Sequence, residues 1–262
     1  MSRPIVTLTT DFGLDSPYVA QMKGVLLSAL RDAQLVDICH LVPPQAIRHA
    51  EVMLRAAAFA FPLGTVHVVV VDPGVGTNRR PIAVQARGVS FVGPDNGVLG
   101  LALTQPGARA VVLDRSELFL HPVSATFHGR DIFSPVAAEL AAGVPLEAVG
   151  TPIDDACPST LPVPHVGPRE VRGEVLVADS FGNLLTNIPA AAFDATWSVM
   201  VDGHVAVRVR TFGEGPRGDL LVLEGSEGFL EIAVREGSAA LLLGRASGVE
   251  VTCCPAPATS SS

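Results

Sequence analysis

Aromatic side chains are scarce in this chain of 262 residues: they make up 5% of it, with one Trp and one Tyr. Basic charge is short as well. Lys and Arg total 18 against 26 Asp and Glu, a formal net charge of −8. A nucleic-acid surface needs clustered Lys and Arg to displace counterions from phosphates, so that class of partner is set aside. The four cysteines, Cys39, Cys157, Cys253 and Cys254, form neither a C-x-x-C pair nor a zinc-type double pair, and they are read as reduced thiols. The longest aliphatic neighbourhood, 66–71, falls far short of the roughly 20 residues that span a bilayer, so no membrane partner is expected. Residues 4–8 run directly into Asp11, without the apolar core and small-residue cleavage site of a secretory signal. A cytoplasmic location is the expectation. No internal repeat is found.

What the chain does have is apolar content: 48% hydrophobic and 17% charged residues, with a mean hydropathy of +0.41. That composition argues for extensive burial, and the length suits two domains better than one. Strand patterns at 5–10, 35–38 and 66–71 alternate with helical patterns from Tyr18 to Leu30 and over 46–60. Ser16 and Pro17 read as N-cap and first-turn residues of the first helix. Further strands are predicted at 82–85, 90–92 and 110–113, and helices at 97–103 and 132–142. This pattern predicts an α/β N-terminal domain with a mostly parallel sheet covered by helices. Five prolines between 151 and 168 suggest a linker. The domains are therefore set at 1–155 and 170–262, with a Pro-rich linker at 156–169. Short strands at 172–178, 197–201, 204–209, 220–223, 229–234 and 248–253 predict a smaller all-β, barrel-like C-terminal domain. Residues 256–262 read as a frayed tail.

Four stretches place polar groups at the ends of predicted strands, where open α/β sheets bind ligands. In Thr9-Thr10-Asp11-Phe12-Gly13 the carboxylate could accept both hydroxyls of a ribose, or simply cap a turn. In Asp72-Pro73-Gly74-Val75-Gly76-Thr77-Asn78-Arg79-Arg80 an acid precedes a turn whose glycines let backbone approach a ligand. This stretch lacks the Lys of a phosphate-binding loop and the spacing of a dinucleotide fingerprint. In Phe127-His128-Gly129-Arg130-Asp131 the glycine lets His128 face a pocket while Asp131 caps the following helix. In Asp179-Ser180-Phe181-Gly182-Asn183 an aromatic that can stack on a base lies beside an amide that can pair with a purine edge. Asp11, Asp72, Asp95, Asn96, His128 and Asp131 also allow a metal-dependent phosphoesterase, though no paired-histidine ligand spacing supports it.

Taken in order, these motifs resemble those of the S-adenosyl-L-methionine (SAM) hydroxide adenosyltransferases, relatives of the fluorinating and chlorinating enzymes that use the same substrate. The resemblance rests on Thr-Thr-Asp-Phe-Gly at 9–13, Asp-Pro-Gly-Val-Gly-Thr at 72–77, Gly-Pro-Asp-Asn-Gly at 93–97, Phe-His-Gly-Arg-Asp at 127–131 and Phe-Gly-Asn at 181–183. It implies hydrolysis of SAM to adenosine and methionine, with SAM as substrate, no cofactor and no metal. The implied catalytic residues are Asp72, Arg79 and His128, with Arg80 the alternative to Arg79. Asp11 is expected to hold the ribose, Phe181 and Asn183 the adenine, and Asp179 and Ser226 the amino-acid end of methionine. Halogenating relatives carry an uncharged residue at the position of Asp72, and Arg where this chain has Glu227. The resemblance further implies a homotrimer with sites at subunit interfaces. A SAM-dependent halogenase and a SAM- or adenosine-binding module are the remaining alternatives.

Overall fold

A computed structural model describes residues 3–255; the expected frayed tail at 256–262 lies outside the described residues. The chain divides into two compact units, Met1–Thr160 and Leu161–Ser262.

The first unit is built on β1 (Ile5–Thr10), α1 (Tyr18–Ala29), β2 (Gln34–Cys39), α2 (Ile47–Ala57), β3 (Val66–Val70), β4 (Pro81–Ala86), β5 (Val89–Pro94), α3 (Gly100–Leu103), β6 (Arg109–Val112), α4 (Ser134–Ala141) and β7 (Thr151–Ile153). Its seven-stranded sheet has the order β2-β1-β3-β5-β4-β6-β7. β2, β1, β3, β5 and β6 share one direction, and β4 and β7 oppose it. The mostly parallel sheet expected from the sequence is thus present. β3 shows why: Val-His-Val-Val-Val is buried at every position, because helices cover both faces of the sheet. Its side chains alternate between two cores. Val68 and Val70 join Met22, Leu26, Phe133 and Val136 on one face, while Val69 and Val71 join Leu54, Phe91 and Leu99 on the other.

The register positions the site. Thr10 pairs with Val70, so the C-terminal ends of β1 and β3 are level, and Asp11 and Asp72 leave the sheet at the same edge. Two capping expectations are corrected. Pro17, not Ser16, occupies the N-cap of α1, and the Ser16 hydroxyl instead donates to the Phe12 carbonyl at 2.9 Å. Asp131 does not cap the helix after it. A single π-turn over Gly129–Phe133 precedes α4, and the Asp131 carboxylate accepts from the Ser124 amide and the Arg130 guanidinium. The helix expected at 97–103 shortens to Gly100–Leu103, because Asn96 holds the preceding turn by accepting from the Val98 amide.

The second unit comprises β8 (His165–Val166), β9 (Val171–Ala178), β10 (Leu184–Pro189), β11 (Ser198–Val201), β12 (His204–Arg208), β13 (Leu220–Glu224), β14 (Phe229–Val234), α5 (Ala239–Leu243) and β15 (Glu250–Cys254). Strand order β10-β14-β13-β12-β11-β15-β9 closes through a β10–β9 pairing, giving a seven-stranded barrel with β8 added beside β9. Closure removes the exposed edges. Inward residues such as Val175, Leu184, Val222, Ile232 and Val251 fill the interior. β10 and α5 were not anticipated; Leu184–Pro189 reads in the sequence as the continuation of a polar turn.

Candidate active site

Val71 carries β3 past its last paired residue, and its carbonyl accepts from the Asn96 side chain at 2.9 Å. Asp72 follows, its side chain 5% exposed, and Arg79 returns to it across a turn with its own side chain 9% exposed. Arg79 Nε donates to both Asp72 oxygens, at 2.9 and 3.1 Å, and Nη2 forms an ion pair with Oδ2. Nη2 also lies 2.9 Å from His128 Nδ1. A guanidinium has only donors, so Nδ1 accepts and the neutral ring carries its proton on Nε2. Burial and the adjacent Arg79 charge hold His128 below its ordinary pKa, which keeps the acceptor form available; Asp72 and Asp131 pull more weakly the other way. Arg79 Nη1 is buried without a hydrogen-bond partner among the described residues, and the guanidinium carbon sits 5.2 Å from the centre of the Phe133 ring. An orphaned charged donor in so buried a place is costly unless a ligand oxygen or water meets it.

The turn between Asp72 and Arg79 depends on Gly76. Its φ is +76°, and a Cβ there would stand 2.2 Å from the Ala125 carbonyl oxygen. Close approach of these two backbones places the turn beside the segment that delivers Phe127 and His128. A cleft of about 430 Å³ results, lined by Asp11, Tyr18, Asp72, Phe127 and His128 among others. Phe12, Tyr18 and Phe127 form a wall of mutually edge-on rings with centroids 5.3–5.8 Å apart. Asp11 Oδ2 accepts from the Gln45 amide at 2.8 Å.

The structure separates the two adjacent arginines. Arg80 points to Asp95 and Asp155, donating to them at 2.8 and 2.7 Å, so Arg79 is the one that meets Asp72. Three carboxylates considered as metal ligands each hold their own guanidinium: Asp72 with Arg79, Asp95 with Arg80, Asp131 with Arg130. No grouping of three or more His, Cys, Asp or Glu fit to hold a metal occurs among the described residues.

The barrel carries a second cavity, about 900 Å³, lined by Asp179, Phe181, Asn183, Ser226 and Glu231 among others. At the end of β9, Asp179 Oδ1 accepts from the Phe181 and Asn183 amides, both at 2.8 Å, and Oδ2 accepts from Asn183 Nδ2 at 3.0 Å. Gly182 takes a φ of +82°, and a Cβ on it would stand 2.0 Å from Ser238 Oγ. With its carboxylate anchoring the turn, Asp179 leaves Asn183 buried and Phe181 79% exposed. The amide nitrogen of Asn183 is thus committed to Asp179. Glu231 was missed in the sequence. It is the acidic interruption of the apolar strand Phe-Leu-Glu-Ile-Ala-Val, and burial, with Asp179 and Glu227 nearby, pushes its carboxyl above the usual range.

A helix-covered sheet and a separate closed barrel, each with a cavity of ligand size, define a two-unit small-molecule enzyme class whose polar centre is a carboxylate, a guanidinium and an imidazole. Residues 6–150 match the SAM hydroxide adenosyltransferase N-terminal domain and residues 173–252 its C-terminal domain. The chain belongs to the SAM hydroxide adenosyltransferase family. It is 43% identical over 250 residues to the (R)-S-adenosyl-L-methionine hydrolase of Salinispora tropica, covering 94% of this chain and 95% of that one. A crystal structure of an uncharacterized conserved protein from Thermotoga maritima superimposes with a TM-score of 0.88 at 40% identity, covering 95% and 99% of the two chains. The fluorinase of Actinopolyspora mzabensis is more distant, at 28% identity over 95% of this chain and 97% of that one. No helix among the described residues is long and apolar enough to cross a membrane.

Proposed function

We infer that this protein hydrolyses SAM to adenosine and L-methionine by in-line attack of water or hydroxide at the ribose 5′ carbon. The observation that carries the reading is the Asp72–Arg79–His128 cluster at the sheet edge, in a chain 43% identical to a SAM hydrolase. By the same likeness the substrate epimer is the (R)-sulfonium that the relative's name specifies. The sulfonium is already a good leaving group, so holding the nucleophile in line is the main task. One C–O bond forms as the C–S bond breaks; the electron pair goes to sulfur and a proton is released. Arg79, with its unpartnered Nη1, and His128, donating from Nε2, hold the attacking oxygen. Asp72 orients it and takes the proton. The sulfonium departs without acid assistance, so positioning outweighs proton abstraction. Asp11 binds the ribose hydroxyls, Phe181 stacks on adenine beside Asn183, and Asp179 with Ser226 receives the amino-acid end. No cofactor enters this scheme.

A carboxylate at position 72 also repels halide ions, which favours water as nucleophile over the halogenase reading. The substrate-binding sites of the active assembly lie at the subunit interfaces of a homotrimer, and the protein works in the cytoplasm. Incubation with SAM in ¹⁸O-labelled water, with and without chloride, tests the reaction. Labelled adenosine plus methionine is the expected product pair. 5′-Chloroadenosine would move the assignment to the halogenases, and intact substrate bound to the protein would make it a binding module.

A further inference from the structure

Asp11 is the carboxylate assigned to the ribose hydroxyls, and the groups that aim it lie behind the cleft, inside the first unit. β1 and β2 stay in register as far as Leu8 and Asp37, then slip by one residue, so that Thr9 pairs with Cys39. The slip passes over Ile38 and brings His40 level with Thr10, the residue before Asp11. Irregularities of this kind re-aim side chains beside active sites. Here His40 grips the Asp11 turn on both sides. Its ring Nδ1 lies 2.9 Å from Thr10 Oγ1, and its main-chain carbonyl accepts from the Gly13 amide at 2.9 Å. Thr10 Oγ1 also accepts from the Phe12 amide at 3.3 Å. Thr10 is fully buried and His40 is 5% exposed, and neither lines the cleft. Nε2 of the ring faces Asp37 Oδ1 at 2.9 Å, and Asp37 in turn pairs with Lys23 at 2.6 Å. A ring nitrogen that faces a carboxylate carries the proton, so in the neutral ring Nδ1 accepts from the Thr10 hydroxyl. Further along the same loop, Gln45 takes a φ of +64°, uncommon for a residue with a side chain, and its amide donates to Asp11 Oδ2. An apolar pair would fill the space between Thr10 and His40 as well; what a hydroxyl and an imidazole add is direction.

Resting on the SAM-hydrolase reading and on the ribose role of Asp11, we propose that His40 is a positioning residue for the ribose. Through Thr10 it holds the turn that aims Asp11, and so it sets substrate affinity without acting at the 5′ carbon. Gln45 completes the clamp from the other end of the loop.

The test is steady-state kinetics of the purified full-length chain on SAM and on its 2′-deoxy analogue, with circular dichroism and thermal melts to confirm folding. Thr10→Val deletes the hydroxyl at nearly constant volume, Thr10→Ser keeps it, and His40→Leu and His40→Asn remove and keep the acceptor. Thr10→Val and His40→Leu are expected to raise KM for SAM by about tenfold with kcat changed by less than about threefold, whereas Thr10→Ser and His40→Asn stay near the wild type. On the 2′-deoxy analogue the same two losses are expected to shrink to about threefold or less, because Asp11 then has less to hold. A folded Thr10→Val with wild-type KM for SAM would overturn the proposal. So would an equal loss on both substrates, which would make the pair a general support of the fold. A wild type that leaves SAM intact would strike the hydrolase reading instead; the Kd of adenosine for the same variants, measured by calorimetry, would then decide the positioning role by the same comparison.

Discussion

Asp72, Arg79 and His128 act as a chain of donors and acceptors, so each substitution has its own expected signature. Asp72→Asn keeps the shape but gives the guanidinium a weaker acceptor and removes the proposed proton sink. It is expected to lower kcat by about 10²- to 10³-fold, the range for loss of one preorganised electrostatic contact, with a much smaller change in KM. Equal losses in kcat/KM and substrate affinity would contradict the role. The imidazole sets a pH dependence. Nδ1 must be unprotonated to accept from Arg79, and burial beside that charge lowers its pKa from the ordinary imidazole value. Activity is therefore expected to hold steady as pH falls through the range where a free imidazole titrates and to decline only at lower pH. In His128→Asn, whose amide oxygen still accepts but does not titrate, that acid limb should vanish from the kcat/KM profile. Its persistence would assign the limb to another group.

At the level of elements, the turn between β3 and β4 matters more than either strand. It returns Arg79 to Asp72, and at Gly76 it touches the backbone of Ala125, two residues before Phe127. Gly76→Ala adds a methyl group where φ is +76° and where the Ala125 oxygen already stands. Expected losses are more than about 1 kcal/mol of stability, read from denaturant midpoints, and at least tenfold in kcat as the turn separates from the His128 segment. An alanine variant with wild-type kcat would show that this contact is not what aligns the cluster. The motifs around this turn were legible in the sequence because an acid at a strand end followed by glycines is a local signal. The choice of Arg79 over Arg80 was not, because it depends on Asp95 and Asp155, which come from other segments.

Across the whole molecule, stability is coupled to pH through a group far from the chemistry. His67 is fully buried in β3, its Nδ1 2.7 Å from Thr7 Oγ1 and its ring stacked 5.0 Å from Phe91. Burial lowers its pKa to about 4. The folded value is depressed below the unfolded one, so the unfolded chain binds the extra proton and stability is lost as pH falls from about 6.5 towards 4. The loss is on the order of 3 kcal/mol. Urea unfolding at several pH values checks this, and the slope should be shallower in His67→Gln. Identical slopes would place the effect elsewhere.

The sequence by itself determined the division into an α/β and a β-barrel portion, since near-continuous aliphatic strands and short alternating ones are local consequences of two-sided and one-sided burial. Its motifs also pointed to Asp11 and Asp72, because residues at strand ends are written next to the strands that carry them, and to His128 and one of Arg79 and Arg80 in the glycine-containing stretches. What only the tertiary structure decided came from pairings distant in sequence. Barrel closure by β10, the tautomer that Arg79 imposes on His128 across 49 positions and the release of Asp131 from its expected capping role each depend on groups that meet only after the chain has folded.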